Sequence, residues 1–268
     1  MFFFNKKHTI AASGILQGAA DHHSHILPGV DDGVETMDEA LRILATYEDL
    51  GIKELWLTPH IMEDIPNTPQ KLKARFEELK AAYKGNIKLH LAAEYMIDNH
   101  LHQLLQETNK LLHSQCEGRW HEQSEVTEGS KAPNGEGDNL LPIGTSGKHI
   151  LVETSYYNAP MRMNDTLQQI KSLGYFPLLA HPERYMYLDN ADYTKLHSQG
   201  VRFQLNLASL AGGYGKAVKK KAEWLLSNGL YSVAGTDLHC EDAIEYITNC
   251  KLSKQAVEQV EKLLHNSI

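Results

Sequence analysis

Short apolar runs alternate along this chain with longer segments of helical periodicity. The strand-forming runs are predicted at Gly18–His22, Glu54–Leu57, Lys88–Ala93, His149–Val152, Phe176–Leu179, Arg202–Leu205 and Tyr231–Ala234. An alternation of strands and helices is typical of βα units, in which the strands pair in parallel. A chain of 268 residues also falls within the roughly 200 to 400 residues of one α/β barrel. We therefore predict a single α/β domain over residues 1–268 that forms a closed parallel barrel of seven strands.

Several of the intervening helices carry recognisable start and stop signals. Thr36 and Glu39 have the spacing of a capping box, and Gly51 ends the helical stretch that follows them. Thr68 and Pro69 have the order of an N-cap and a first helical residue. These signals support the division of the chain into successive βα units.

Residues 114–139 interrupt this pattern, because they are rich in Gly and Glu and contain almost no apolar side chains. Such a segment cannot bury enough apolar surface to fold by itself. We predict an inserted flexible loop on the surface between the third and fourth strands. A lid or a partner-docking segment is the alternative.

The charge and the cysteine content exclude some classes of function. The formal net charge is −8, and no Lys/Arg-rich run is present that could follow a phosphate backbone, so we expect no nucleic-acid partner. Cys116, Cys240 and Cys250 are scattered without CxxC spacing, which is typical of a reducing compartment. The N-terminal segment makes a poor signal peptide, and no apolar run reaches the roughly 18 residues that a membrane span needs. We therefore expect a soluble, cytoplasmic protein.

Acidic residues and histidines alternate around the first predicted strand. Asp21, His23 and His25 share one face, because successive side chains of a strand point to opposite faces. The HxH spacing is one that metal ligands use, although paired histidines alone often only cap a loop. A Pro-Gly turn then returns Asp31 and Asp32 toward the same edge. These residues are candidate metal ligands or their neighbours.

Side chains of metal-binding types also follow the later strands. They are His60, Glu94, Glu153, His181, and Asp237 with His239, whereas the sixth strand ends in Asn206, for which we expect only a hydrogen bond. The carboxyl ends of barrel strands meet at one face, so these side chains should converge. A lone glutamate there would more often be a capping group or a surface charge, but so many histidines and carboxylates together require cations. Ligands of this mixed type without thiolate favour two to three divalent ions, such as Mn, Fe, Zn or Mg.

One arginine follows the fifth strand closely enough to act beside this cluster. Arg184 lies three residues beyond His181 in the sequence HPER. Three divalent ions would outweigh the four carboxylates and leave a positive pocket that suits a phosphate dianion. We predict that Arg184 binds two phosphate oxygens in a forked geometry. The alternative is an ordinary surface salt bridge.

The segments DHHSHILPGVDDG, TPH, AEY, VETS, AHPER and GTDLH together resemble the polymerase-and-histidinol-phosphatase (PHP) superfamily. More narrowly, they are similar to its bacterial tyrosine phosphatases of the CpsB/CapC type. The resemblance implies a distorted seven-stranded barrel with three metal ions. It implies one ligand set of His23, His25, Glu94 and Asp237, a second of Glu94, Glu153 and His181, and a third of Asp32, His60 and His239. It also implies that Asp21 orients a ligating histidine, and that Arg184 acts in catalysis together with Asp32 and His239 at the third ion.

The implied activity is hydrolysis of phosphotyrosine on a bacterial tyrosine kinase that drives polysaccharide export. A small-molecule phosphatase of the histidinol-phosphate kind is the nearest alternative, and a nuclease is disfavoured by the acidic charge. A non-catalytic metal-bound protein that docks on a kinase is a further alternative. The chain departs from the family in having no arginine after GTDLH, since Arg202 is its last arginine. The insertion at 114–139 is also longer than the family leads us to expect.

Overall fold

The computed structural model describes residues 7–119 and 139–268. Its strands are β1 (His8–Thr9), β2 (Ala20–Ser24), β3 (Glu54–Leu57), β4 (His60–Ile61), β5 (Lys88–Leu91), β6 (Glu94–Met96), β7 (His149–Glu153), β8 (Phe176–Ala180), β9 (Arg202–Asn206), β10 (Val233–Gly235) and β11 (Lys251–Leu252). Its helices are α1 (Ile10–Ser13), α2 (Met37–Asp49), α3 (Pro69–Ala82), α4 (Asn99–Arg119), α5 (Met163–Ser172), α6 (Asn190–Ser198), α7 (Leu207–Ala211), α8 (Lys216–Ser227), α9 (Asp242–Thr248) and α10 (Lys254–Leu264). A 3₁₀ turn covers Pro182–Arg184.

Most strands belong to two parallel sheets. One has six strands in the order β10-β9-β8-β7-β6-β4, and the other has three in the order β2-β3-β5. Every pairing within these two sheets is parallel, whereas β1 and β11 form a small antiparallel pair. The predicted α/β class with parallel strands is therefore confirmed.

The two parallel sheets are continuous with each other through the backbone. β3 leads into β4, and β5 leads into β6, after two residues in each case. Pro59 lies in the first of these breaks, and proline has no N–H to donate to a strand ladder. On the other side, the N–H of Asp237 donates to the carbonyl of His23 (2.8 Å), and that of His25 donates to Leu238 (2.9 Å). The strand ladder thus runs as six plus three strands and not as the single ring of seven that the sequence led us to expect.

The first parallel strand begins two residues later than predicted. Gly18 has a φ of 77°, and its N–H donates to the carbonyl of Gly51 at 2.8 Å, so it forms a turn and not a strand. Helix starts agree better with the sequence. The hydroxyls of Thr36 and Thr68 accept hydrogen bonds from the first turns of α2 and α3, which confirms both as N-caps.

Helix α4 extends into the predicted insertion. The loop was expected from residue 114, but α4 continues to Arg119, so residues 114–119 are helical. No proline interrupts α4, and extending a formed helix is far easier than starting one. The remaining residues 120–138 lie outside the described ranges. Although α4 has 21 residues, neither it nor any other helix in the described ranges is apolar and long enough to cross a membrane.

Apolar side chains cover both faces of the sheet. On β7, Leu151 packs in a small inner cluster, whereas Ile150 and Val152 pack in the large cluster beneath the helices. On β8, Leu178 and Leu179 divide in the same way. Such two-sided burial is typical of parallel sheets that helices cover. Polar side chains are therefore concentrated at the carboxyl edge of the sheet, where this packing ends.

Candidate metal centre

Strand β2 and the residue after it supply the first two histidines of the predicted site. His23 and His25 are fully buried, and their Nε2 atoms lie 3.1 Å apart. Gly235 of β10 lies beside them, where an added Cβ would be only 2.5 Å from the Cβ of His23. A glycine is required for so close an approach. The close approach of β10 to β2 therefore depends on this residue.

Six other predicted ligands lie on strands of the six-stranded sheet or shortly after them. His60 begins β4, Glu94 begins β6, Glu153 ends β7, His181 follows β8, and Asp237 and His239 follow β10. His181 and Asp237 have φ values of 32° and 53°, which lie in the left-handed region that residues other than glycine rarely adopt. Strain of this kind is concentrated at functional sites. The surrounding fold thus holds two of the candidate ligands in unusual backbone conformations.

The structure brings all nine predicted ligand residues into three adjoining groups. The groups are His25, Asp32, His60 and His239; His23, Glu94, His181 and Asp237; and His60, Glu94 and Glu153. In each group, one ligand atom of each residue lies within 4.8 Å of those of the others. These groups differ from the ligand sets that the resemblance implies. His25 lies with Asp32 and His239 and not with His23, and His181 lies with His23 and not with Glu153. His60 belongs to two groups.

The ligand set implied around His23 and His25 is nevertheless compact as well. The Nε2 atoms of both histidines lie 3.2 to 3.4 Å from Oε2 of Glu94 and 3.4 Å from Oδ1 of Asp237. Two ligands of one ion at about 2.0 to 2.2 Å are themselves about 3 to 3.6 Å apart. The four side chains therefore have the spacing of a single metal site.

The more exposed part of the cluster is formed around Asp32. Its Oδ1 lies 3.4 Å from Nε2 of His60 and 3.7 Å from Nε2 of His239. The Asp32 side chain is 65% exposed and that of His239 is 33% exposed, whereas Glu94 is fully buried. This group consequently faces the cavity that opens above the site.

Three buried atoms of the cluster have no hydrogen-bond partner among the described residues, and they are Oε2 of Glu94, Nδ1 of His60 and Nδ1 of His181. Oε2 of Glu94 and Nδ1 of His60 lie 3.2 Å apart, yet neither makes a hydrogen bond of acceptable geometry with a described residue. Burial lowers the pKa of His23, but the carboxylates of Glu94 and Asp237 outweigh it and raise that pKa to about 9. Burial would raise the pKa of Glu94, but the neighbouring histidines hold it well below its usual value. Buried carboxylates that attract protons to histidines would equally attract a divalent cation, so the residues present fit a metal centre.

Asp31 and Gln204 orient the two buried histidines from behind. Oδ2 of Asp31 accepts a hydrogen bond from Nδ1 of His25 at 2.8 Å, and Oε1 of Gln204 lies 3.0 Å from Nδ1 of His23. Such contacts hold a metal-binding imidazole in its ring orientation and tautomer. The sequence predicts Asp31 at this edge without a defined role, and it does not predict the contact of Gln204. Gln204 lies two residues before Asn206 on β9, and residues at this spacing in a strand point to the same face. This spacing could have indicated Gln204.

Asp21 does not orient an imidazole as we expected. It accepts hydrogen bonds from the backbone N–H groups of His23 (3.1 Å) and Thr236 (2.9 Å), and from the hydroxyls of Thr236 and Tyr47. Strands β2 and β10 belong to different sheets. Asp21 of β2 bonds to Thr236, the residue after β10, and so links the two strands. Its contribution to the site is therefore through the backbone.

Arg184 lies at the same edge and contacts the cluster directly. Its Nη1 donates to Oδ2 of Asp237 at 2.9 Å, and the side chain is only 15% exposed. Asn206 donates to the same oxygen at 2.8 Å, which confirms the hydrogen-bonding role expected of it. Asp237 thus turns Oδ1 toward the histidines and Oδ2 toward Arg184 and Asn206. The surface salt bridge considered as the alternative does not describe this buried contact.

The cluster forms the floor of an open cavity of about 530 Å³. Arg184, Tyr156 and Tyr214 line one part of it, and apolar side chains such as Met62 and Met96 line another. A cavity of this size accommodates a small phosphorylated side chain. Its cationic and aromatic lining above a metal-binding floor is suited to a phosphate ester.

Other histidines of the described residues lie outside the three groups. His90 is paired with Glu54 and stacks on Trp56, and His149 packs against Phe176. His121 lies outside the described residues, and the side chain of His113 is likewise not described. His90 and His149 thus pack against neighbouring aromatic side chains and lie outside the candidate centre.

The fold and the cluster together define an α/β protein with a candidate His/carboxylate metal centre beside a parallel sheet. The chain belongs to the capsular polysaccharide synthesis family CpsB/CapC, whose model matches residues 19–117 and 137–265. It is 24% identical over 256 residues to CapC of Staphylococcus aureus. The aligned region covers 92% of this chain and 88% of that protein. It is 25% identical over 231 residues to the tyrosine-protein phosphatase CpsB of Streptococcus pneumoniae, with 83% and 84% of the two chains covered.

A solved structure shows a similar fold. It comes from a study of YwqE from Bacillus subtilis and CpsB from Streptococcus pneumoniae, described as metal-dependent tyrosine phosphatases. The match has a TM-score of 0.67 at 21% sequence identity and covers 93% of this chain and 95% of that one. This likeness supports the α/β architecture, and the break between the two segments that match the family falls within the predicted insertion.

Proposed function

We propose that this chain is a metal-dependent protein tyrosine phosphatase that hydrolyses phosphotyrosine monoesters. The observation that carries the proposal is the convergence of nine histidines and carboxylates beside Arg184, seven of which line one cavity. Related proteins named CpsB and YwqE are tyrosine-protein phosphatases, which supports the same activity here. A phosphoric monoester hydrolase is thus the function that best fits both the side chains and the family.

We further propose that His23, His25, Asp32, His60, Glu94, Glu153, His181, Asp237 and His239 hold two to three divalent ions. Histidine and carboxylate donors without thiolate suit Mn, Fe, Zn or Mg. Bound ions would supply a water of lowered pKa as the nucleophile and would neutralise phosphate charge. The same proposal includes closure of the two sheets into one distorted seven-stranded barrel, since backbone hydrogen bonds join Asp237 to His23 and His25 to Leu238.

The protein's own residues would bind and orient the phosphate. Arg184 keeps N–H groups beyond the one bonded to Asp237, and these can donate to phosphate oxygens. Asp32 and His239 form the exposed side of the cluster, where the ester would enter. A tyrosine phenolate has a pKa of about 10 and leaves readily, so little help from a general acid is needed. These roles account for aryl phosphate hydrolysis without a nucleophilic cysteine or serine.

The protein substrate that we propose is a phosphotyrosine segment of a bacterial tyrosine kinase in polysaccharide export, reached in the cytoplasm. The family's link to capsular polysaccharide synthesis supports this partner. Cytoplasmic action is consistent with cysteines that show no disulfide pairing among the described residues. A phosphatase of small molecules would be indicated instead by preferential turnover of histidinol phosphate.

The test is hydrolysis of para-nitrophenyl phosphate, a phosphotyrosine peptide and histidinol phosphate by protein stripped of metal and resupplied with Mn, Fe, Zn or Mg. We expect metal to restore turnover, with preference for the phosphotyrosine peptide. His25→Ala should abolish it, whereas His197→Ala, which alters an exposed histidine on α6, should retain it. No turnover with any ion, despite bound metal, would contradict the proposal and favour a non-catalytic docking protein.

A further inference from the structure

The guanidinium group of Arg184 is held between two aromatic rings. Its Cζ lies 4.1 Å from the ring centroid of Tyr156 and 4.1 Å from that of Tyr214. Both distances are well within the roughly 6 Å over which a cation is attracted to an aromatic face. Tyr156 lies in the segment between β7 and α5, and Tyr214 lies between α7 and α8. The fold thus brings together three side chains from separate segments of the chain.

Hydrogen bonds also connect Arg184 to Tyr214, by way of Asp237 and Asn206. Nη1 of Arg184 donates to Oδ2 of Asp237 at 2.9 Å. Asn206 Nδ2 donates to that oxygen at 2.8 Å and to the hydroxyl of Tyr214 at 3.3 Å. The hydroxyl of Tyr214 thus makes a long contact with Asn206, while its ring lies against Arg184. Rotation of the arginine would break the bond to Asp237 and both ring contacts.

The position of this arginine matters because it is the one positively charged side chain, among the described residues, that could help the proposed metal ions to bind phosphate. Among the described residues that line the cavity, Arg184 is the only arginine or lysine. A free arginine side chain has many rotamers, and ordering it on ligand binding reduces affinity. An arginine that is already ordered avoids that loss, as in other preorganised sites.

We propose that Tyr156 and Tyr214 are positioning residues that hold Arg184 in the orientation needed to bind the phosphate group. The inference rests on the proposed phosphatase function. The aromatic rings carry the effect, because the hydroxyl of Tyr214 makes only a long hydrogen bond to Asn206. The effect is therefore transmitted through Arg184 and requires that arginine.

The experiment measures kcat and KM for para-nitrophenyl phosphate, and the inhibition constant and binding constant of inorganic phosphate, in the metal-loaded protein. Tyr214→Leu and Tyr156→Leu should each weaken phosphate binding about 2- to 30-fold, as expected for loss of one cation–π contact. KM should rise more than kcat falls, and metal content should not change. Tyr214→Phe should recover most of the loss, because it restores the ring.

The decisive comparison repeats the leucine substitutions in an Arg184→Ala background, where they should have no further effect. Tyr157→Leu is the matched control, since Tyr157 is 78% exposed and makes no ring contact with Arg184 among the described residues. An equal loss with and without Arg184 would overturn the inference, as would unchanged phosphate binding in both leucine variants. Because Tyr214 is 38% exposed, its leucine variant should fold even if the Tyr156 variant does not. Failure of the proposed function would appear differently, as absence of turnover in the unaltered protein.

Discussion

Asp31→Asn tests how strongly the candidate metal centre depends on a residue that binds no metal itself. In the structure Oδ2 of Asp31 accepts from Nδ1 of His25 at 2.8 Å and from the N–H of His60 at 3.0 Å, while Oδ1 accepts from the N–H of Gly33 at 3.1 Å. Asparagine has the same shape but only one oxygen. One orientation of its amide places NH₂ against the N–H of Gly33, so two donors face each other. The other orientation places NH₂ against His25, where Nδ1 must then accept and Nε2 must carry the proton.

The second orientation removes the lone pair with which His25 would bind a cation, and the first leaves a buried donor unpaired. A buried donor without an acceptor costs about 1 to 3 kcal/mol. Loss of a carboxylate that supports a metal-binding histidine typically reduces metal affinity about 10- to 100-fold, which is about 1.4 to 2.8 kcal/mol. Both estimates agree, so we expect Asp31→Asn to weaken Mn²⁺ binding by about 10- to 100-fold.

The assay is competition for Mn²⁺ against a chelator of known affinity. Asp189→Asn is the matched control, because it removes the same charge from an exposed N-cap whose hydrogen bonds asparagine can replace. It should leave the affinity for Mn²⁺ unchanged. If Asp31→Asn binds Mn²⁺ within twofold of the unaltered protein, Asp31 does not support the centre and the reasoning is refuted.

Three further substitutions test the fold around the site. Gly235→Ala would place a Cβ 2.5 Å from that of His23. Because overpacking of this kind costs about 1 to 3 kcal/mol, we expect a lower Tm and weaker metal retention. An unchanged Tm would contradict the close approach of the two residues. Burial and the charge of Arg202 lower the pKa of His149 from 6.5 to about 4. The unfolded chain therefore takes up this proton first, and stability is lost as the pH falls from about 6.5 to 4. His149→Phe should show a smaller drop in Tm between pH 7.5 and pH 5 than the unaltered protein, and an equal drop would exclude this origin of acid sensitivity. Thr68→Ala removes the N-cap of α3 and should lower the free energy of unfolding by about 0.5 to 2 kcal/mol in urea titrations, whereas no change would mean that α3 is held by packing alone.

The positions of most candidate ligands could be predicted from the sequence, because most of them follow a strand that the sequence predicts. Parallel strands bring their carboxyl ends to one edge, so Glu94 and Asp237 could be placed together although 143 residues separate them. The division of roles between Asp31 and Asp32 could not be predicted in the same way. Both follow the same turn, and only the three-dimensional path of the loop directs Asp31 toward His25 and leaves Asp32 exposed.

Contacts between segments without a strand pattern were also beyond the sequence. Tyr156 and Tyr214 lie on opposite sides of Arg184 in the chain, and nothing in their spacing indicates that both rings contact it. The interruption of the strand ladder has a similar origin. Pro59 can be read from the sequence. Its effect, however, depends on which neighbouring strand would have accepted the hydrogen bond that proline cannot donate. Long-range packing therefore decides the details that local patterns leave open.

The strained backbone at His181 and Asp237 bears on how the centre assembles. Left-handed conformations at residues other than glycine cost about 1 to 3 kcal/mol each, and only the surrounding structure can maintain them. The N–H of Asp237 donates to His23, and the N–H of His181 donates to Oε1 of Gln204. Both strained residues are therefore tied to the histidine on β2 or to the side chain that orients it. The fold thus places the candidate ligands before an ion binds, so metal binding should adjust side chains and leave the backbone of the strand ends in place.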